Sequence, residues 1–325
     1  MSIKVSFEKV LNQGRLGLGT AQLGNTDHTH DGVKYIKPEL AGTILTYASE
    51  SGIMFFDTGA NYGKSEQLVG HLKKQNPDKV FIATKAGMRN EKPVQRDFSK
   101  EFLMQQLKTS LRHTGQETLD LFQLNKPGIS DINQHESFAF LMWVKEQGFA
   151  FYTGVVVGDL EVGYKCLEKQ AKGAVDCILI LFNLVSQEGA DLVEKASQAG
   201  VKVIARSPLN SGLLSVVYTS DQKFDKNDER KSYFSGDLFH KRLETLQKFT
   251  SSIGVRGEEL LNFSLNFLYS FPGISMVIPG ASNLEQLKNY LSVYKQTPRL
   301  TISKLEKVKM RWHDHYHDSD FSIQN

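Results

Sequence analysis

Four residues in the first 125 could do chemistry together. Asp57 ends the apolar run Ile53-Met54-Phe55-Phe56, and Tyr62 follows it closely. Lys85 ends Phe81-Ile82-Ala83-Thr84, and Asn125 ends Leu119-Asp120-Leu121-Phe122-Gln123-Leu124. An acid, a phenol and a lysine are the parts of a proton-donating site. Tyrosine is a poor acid near neutrality because its pKa is about 10. A buried ammonium beside the phenol favours the phenolate and lowers that value. A carboxylate on the lysine keeps the ammonium in place and charged. Taken singly, each residue also suits an ordinary ion pair or a surface tyrosine. Asn125 can donate a hydrogen bond to a carbonyl oxygen, but its amide cannot titrate.

Such residues need elements that bring them to one place. Apolar runs capped by functional groups are the pattern of a barrel with its site at the C-terminal strand ends. Strand-like segments are read at Leu16–Leu23, Ile53–Phe56, Lys79–Thr84, Leu119–Leu124, Tyr152–Val157, Cys177–Leu181, Val201–Ala205 and Met276–Ile278. Helical segments alternate with them: Pro38–Ser51, Ser65–Lys74, Ser99–His113 with Ser99 as N-cap, and about 135–147. Further helices are read at Leu160–Lys169, Gly189–Ala199, roughly 237–269, Asn283–Val293 and Ser303–Trp312. About eight strand–helix units over ~280 residues predict an α/β chain folded as a (β/α)8 TIM barrel, a single unit spanning 1–325. An open doubly wound sheet is the alternative, but the glycines at 17, 19 and 24 precede a long loop and not a helix. A polar insert at about 215–236 reads as a mobile lid on the catalytic face or as a disordered loop, and a tail occupies about 301–325.

The composition is that of an ordinary globular chain: 325 residues, 40% hydrophobic and 23% charged, with a net charge of only +3. Neither nucleic acid nor a membrane surface is expected as partner. Two cysteines, no leader-like segment and no long apolar run predict a cytoplasmic protein without disulfides. The oligomeric state is not legible.

Phe56-Asp57-Thr58-Gly59-Ala60-Asn61-Tyr62-Gly63, then Ser65-Glu66 and Thr84-Lys85, resembles the aldo-keto reductase family. The resemblance is nearest to a bacterial branch linked to sugars and small carbonyls, and it covers nearly the whole chain. It extends to Leu18-Gly19-Thr20, to Arg206-Ser207-Pro208-Leu209 with Gly212-Leu213-Leu214, and to Ile278-Pro279-Gly280-Ala281-Ser282 with Glu285-Gln286-Leu287. It implies reduction of a small polar carbonyl, or oxidation of the alcohol, by NADP or NAD, with Asp57, Tyr62, Lys85 and Asn125 as catalytic residues. It also implies a cofactor site drawn from Gly19, Thr20, Arg206, Ser207, Pro208, Leu209, Gly212, Leu214, Gly280, Ser282 and Gln286.

The chain departs from the family at several of these places. Asn125 stands where the family has a histidine. Val156 and Val157 align with a serine and an asparagine that hold the nicotinamide carboxamide, and Leu179 aligns with a glutamine that does the same. Losing three such hydrogen bonds would weaken binding by roughly 0.5–1.5 kcal/mol each. Two alternatives therefore stand beside the reductase: an isomerase, lyase or dehydratase using the same residues without a nicotinamide cofactor, and a non-catalytic family member. Arg206 would either stack on a cofactor ring or close a salt bridge at the barrel mouth. The His- and Asp-rich runs at 27–31 and 312–318 define no ligand geometry, and no metal site is expected.

Overall fold

The computed structural model describes residues 4–24, 36–89, 95–134, 137–168, 173–215, 218, 234, 236–296 and 298–316. Most of the 215–236 insert, the 27–31 run and the end of the tail lie outside these residues. Among the described residues, a short helix α1 (Phe7–Gln13) precedes β1 (Leu18–Gly19). Then come α2 (Pro38–Glu50), β2 (Phe55–Asp57), α3 (Ser65–Gln75), β3 (Phe81–Ala86), α4 (Lys100–Thr114) and β4 (Leu119–Asn125). Two helices, α5 (Ile129–Gln134) and α6 (Ser137–Glu146), lead to β5 (Ala150–Val157), α7 (Leu160–Leu167), β6 (Cys177–Leu181), α8 (Ala190–Gln198) and β7 (Lys202–Arg206). The chain ends with α9 (Gly236–Ser252), α10 (Leu260–Ser270), β8 (Ile274–Ile278), α11 (Leu284–Gln296) and α12 (Ile302–Tyr316).

The eight strands are parallel and lie in sequence order. Gly17 N–H donates to Val277 O at 2.9 Å and Gly19 N–H to Pro279 O at 3.0 Å, which joins the first strand to the last and closes the barrel. Strands buried on both faces explain why the runs are continuously apolar rather than alternating. Phe56, Ile82, Phe122, Val203 and Ala205 face the helices. Phe55, Phe81, Leu121, Val156, Leu179 and Ile204 fill the interior.

Helix boundaries follow local chemistry. Ser99 Oγ accepts the Phe102 N–H, and Gly115 closes α4 in the left-handed region at φ 66°. The helix expected at about 135–147 is α6, preceded by the short α5 that was not expected, and the one at 237–269 breaks at Gly254 (φ 71°), since glycine takes that conformation without strain. The strand expected over Leu16–Leu23 shrinks to Leu18–Gly19, and Ala21–Gly24 form a 3-10 turn. Thr20 is the cause: its N–H (2.9 Å) and its hydroxyl (2.8 Å) both donate to Asp57 O and bend the chain over β2. Helix α1 was not expected. It has only seven residues, too few for a periodic signal, and it plugs the barrel floor with Phe7 against Phe55, Phe81 and Tyr152. In α12, Trp312 Nε1 donates to Val185 O at 3.0 Å and Tyr316 meets Phe249 edge to face.

Candidate active site

Side chains alternate along a strand, so residues two apart share a face. Asp57 follows Phe55, Lys85 follows Phe81 and Ala83, Asn125 follows Leu121 and Gln123, and Arg206 follows Ile204. All these lower residues except Gln123 belong to the interior apolar cluster. The polar residues above them therefore crown the same interior at its C-terminal mouth.

Lys85 Nζ donates to both Asp57 carboxylate oxygens at 2.8 Å and to Thr58 O at 2.6 Å. It also lies 4.6 Å from the centroid of the Tyr62 ring. Lys85 and Asp57 are buried, at 2% and 4% exposure. Burial works against the Lys85 charge, but the Asp57 carboxylate and the Tyr62 phenol reverse this, and its pKa ends above the ordinary lysine value. The lysine is thus a permanent ammonium facing a phenol.

The loop carrying Tyr62 is fixed at several points. Thr58 N–H donates to Ala83 O (2.7 Å), Ala60 N–H to Lys85 O (3.1 Å) and Tyr62 N–H to Gly59 O (2.9 Å). A Cβ on Gly59 would press on Lys85 Cγ at 3.0 Å, so glycine lets this loop lie against the lysine. Beneath it, the hydroxyls of Thr20, Thr58 and Ser65 meet: Thr58 donates to Ser65 at 2.8 Å, and Thr20 and Ser65 lie 2.5 Å apart. This hydroxyl cluster positions both Asp57 and Tyr62. Its hint in the sequence was the Ser65-Glu66 pair after Tyr62-Gly63; its role needed the fold.

Asn125 sits opposite Val156, and its amide has no hydrogen-bond partner among the described residues. Lys126, next in the chain, holds a positive φ of 57°, an unusual backbone state that clusters at functional sites. Val156 and Leu179 fill the interior, while Val157 faces the outer helices and so points away from the mouth. The β5–β6 wall is therefore apolar.

Gln123 is fully buried beneath this mouth, and neither of its amide atoms makes a well-formed hydrogen bond. It lies close enough to stabilise the Asp57 carboxylate. Sequence reasoning passed over it because it sits mid-strand in an apolar run.

Arg206 ends β7 opposite Leu181 and Ile278. Its Nε is buried without a partner. Burial lowers its pKa, while Tyr62 and Asp57 favour the charged form. Ser207 (φ 51°), Asn210 (47°) and Ser211 (55°) follow in the left-handed region, with Gly212 at 94°. Three such non-glycine residues in one loop mark stored strain. Asn183 Nδ2 braces the loop by donating to Ser207 O at 3.0 Å. From the insert, the Tyr218 hydroxyl donates to Ser211 O at 2.8 Å, and the Tyr218 and Phe234 rings are 5.1 Å apart.

The other residues anticipated for cofactor binding divide into two kinds. Pro208, Leu209 and Leu214 are buried and support the loop from below, and the Thr20 hydroxyl is consumed by the cluster under Tyr62. Gly19 and Gly280 pair at the barrel seam, with Gln22 packed on Gly280. Ser282 donates through its N–H (2.8 Å) and its hydroxyl (3.0 Å) to Gln286 Oε1, at the start of α11. Among the described residues, no group of three or more His, Cys, Asp or Glu is placed to hold a metal, and no helix is long and apolar enough to cross a membrane.

Comparison with known proteins agrees with this geometry. The chain is 26% identical over 310 residues to the uncharacterized oxidoreductase YqkF of Bacillus subtilis (strain 168), covering 92% of each. It is 25% identical over 288 residues to the L-glyceraldehyde 3-phosphate reductase of Escherichia coli (strain K12), covering 83% of this chain and 82% of that one. Its fold is shared with the aldo-keto reductase AKR11C1 from Bacillus halodurans (TM-score 0.72, 23% identity, 91% of each chain). It is shared also with the glycerol dehydrogenase AKR11B4 from Gluconobacter oxydans (TM-score 0.73, 22% identity, 94% of this chain and 93% of that one). The model of the Aldo/keto reductase family matches residues 15–310, a span that takes in every strand of the barrel and every polar residue at its mouth, and the chain belongs to that family of oxidoreductases.

Proposed function

We propose that the protein reduces a small polar carbonyl compound with NADPH or NADH, Tyr62 delivering the proton. The observation that carries this reading is the Lys85 ammonium, held by both oxygens of Asp57 and by Thr58 O while it faces the Tyr62 ring. An ammonium in that place stabilises the phenolate that remains after the proton leaves, which makes the phenol a better acid. The Asn125 amide, without a hydrogen-bond partner among the described residues, can donate to the carbonyl oxygen from the side of β4. The apolar β5–β6 wall excludes water from the reacting carbon. The name of the Escherichia coli relative, an aldehyde reductase, fits the same chemistry.

A nicotinamide dinucleotide suits one end of this mouth better than the other. The strained loop from Ser207 to Gly212 and the start of α11, where Ser282 is paired with Gln286, suit its phosphate and adenosine end. Val156 and Leu179 offer its carboxamide no hydrogen bond. When bound, the cofactor supplies the hydride that reduces the carbonyl carbon. The residues assigned to it are Gly19, Arg206, Ser207, Gly212, Gly280, Ser282 and Gln286, with Thr20, Pro208, Leu209 and Leu214 supporting them.

Calorimetry with NADPH and NADH, followed by a carbonyl-substrate screen, tests the reading. Binding of one cofactor by wild type and by Tyr62→Phe, with turnover lost only in the variant, is the expected result. No binding of either at millimolar concentration overturns it.

A further inference from the structure

One polar side chain under the mouth has no task in the reading above. Gln123 is fully buried on β4, and neither its amide nitrogen nor its amide oxygen has a well-formed hydrogen bond among the described residues. Leaving a buried amide unpaired is costly, so the chain keeps this one against a penalty. It pairs with Lys85 across β3–β4 and with Gly154 across β4–β5. Gly154 makes room for its stem, since a Cβ there would stand 3.4 Å from Gln123 Cγ. Asp57 lies on the other side of β3, level with Ala83, whose short side chain leaves the amide a path to the carboxylate. Burial raises the Asp57 pKa, and Lys85, Arg206 and the nearby Gln123 amide oppose the rise.

The same three residue types occur a second time in the barrel, with the glutamine in place. Lys73 bridges both oxygens of Asp120, and Gln116 Nε2 donates to Asp120 at 3.2 Å. We propose that Gln123 is a positioning residue for proton transfer: its amide turns to donate to Asp57 as the Tyr62 proton leaves. This rests on the carbonyl-reductase reading above. The proton passes from the Tyr62 oxygen to the carbonyl oxygen, one O–H bond breaking as the other forms, so the buried set gains one negative charge. Lys85 is then shared between the phenolate and Asp57, and part of the carboxylate charge loses its match. An amide already buried beside it supplies the missing donor without admitting water. The terminal torsion of glutamine is broad, so the turn costs little. Gln123 lies below Asn125 on the same face of β4 and touches no reactant; it acts through Asp57 and Lys85.

The test uses two variants of nearly unchanged size in the full-length protein. Gln123→Met removes the donor. Gln123→Glu donates to Asp57 only while protonated and repels it once ionised. The first readout needs no turnover: phenolate ultraviolet absorbance is followed against pH, each protein measured beside its own Tyr62→Phe counterpart so that the other tyrosines cancel. The Tyr62 midpoint rises from wild type to Gln123→Met, because Asp57 then draws more of the Lys85 charge, and rises further in Gln123→Glu. Asp57, Lys85, Arg206 and Cys177 are the other titratable groups facing this set, and all three proteins share them. With a carbonyl substrate, Gln123→Met lowers kcat roughly 2- to 10-fold and leaves KM unchanged. Gln123→Glu comes nearest to wild type at low pH and loses kcat as pH rises.

Replacing an unpaired buried amide by an apolar group of the same length should not lower the melting temperature, so Gln123→Met decides even where Gln123→Glu does not fold. Equal Tyr62 midpoints in wild type and Gln123→Met, or an unchanged kcat in Gln123→Met at every pH, overturns the proposal. If the wild type reduces no carbonyl compound, the reductase reading fails instead, and the midpoints alone decide whether Gln123 acts on Tyr62. Equal midpoints would then overturn it.

Discussion

Two buried lysine–aspartate pairs brace this barrel, and they differ in what surrounds them. Lys73 donates to both oxygens of Asp120 (2.9 and 2.7 Å) and to Val80 O (2.8 Å). Asp120 also accepts the Ile82 N–H at 2.9 Å and Gln116 Nε2 at 3.2 Å. That pair ties α3 to β3 and β4, and the carboxylate is enclosed by donors. Lys85 and Asp57 have the same reach, 2.8 Å to each oxygen, but their neighbours are incomplete. Among the described residues, neither amide atom of Gln123 below makes a well-formed hydrogen bond, the Asn125 amide has no hydrogen-bond partner, and Arg206 makes no ion pair. A closed polar network is a structural brace. A network open on one side is poised for something that arrives later.

The largest expected effect falls on the open pair. Tyr62→Phe should lower turnover about 10²- to 10⁴-fold, the usual contribution of a positioned proton donor, with the melting temperature almost unchanged. A variant that keeps wild-type turnover would remove Tyr62 from the chemistry.

Next comes the closed pair. Lys73→Met strands a buried carboxylate and should cost about 3–5 kcal/mol of stability in urea unfolding, while activity per folded molecule stays near wild type. Loss of activity without loss of stability would reverse the roles assigned to the two pairs.

The Lys85 charge has a pH signature. Its folded pKa is raised, so its contribution to stability is complete below the unfolded value of about 10.4 and is lost as pH rises through the higher folded value. The stability gap between wild type and Lys85→Met should therefore be constant through neutral pH and narrow only above about pH 10.4. A gap that closes near pH 8 would mean that Asp57 and Tyr62 do not hold the charge.

The smallest effect concerns burial with no partner. Burial pushes the Cys166 thiol up to about 12, and Cys177 is also buried and raised. At pH 8 a thiol of that pKa is ionised in roughly one molecule in 10⁴. Iodoacetamide should leave both thiols intact in the native protein and label both in urea. Rapid native labelling would show an opening of the outer helical layer.

Much of this molecule was legible as type and spacing. Apolar runs ended by Asp57, Lys85 and Asn125 placed three strand ends, because parallel strands buried on both faces leave their functional groups only at the tips. Alternation along each strand then put those groups on one face. Helix starts at Ser99 and Pro38 followed from local signals that need no tertiary context. The facing of Val157 was not legible, because an alignment position does not tell which way a side chain points, and one residue along a strand reverses it. Helix α1 escaped because its stability comes from the barrel floor and not from its seven residues.

The sequence by itself determined the barrel, the acid, phenol and lysine, and the family, since these rest on local patterns and short motifs. Only the tertiary structure decided which charges are compensated. Lys85 and Arg206 are equally cationic as letters, and so are Asp57 and Asp120 equally acidic. Three-dimensional packing bridged both oxygens of Asp57 to Lys85, enclosed Asp120 with donors and left Arg206 without an ion pair among the described residues. Compensation depends on distances across strands far apart in the chain, and no local pattern encodes those distances.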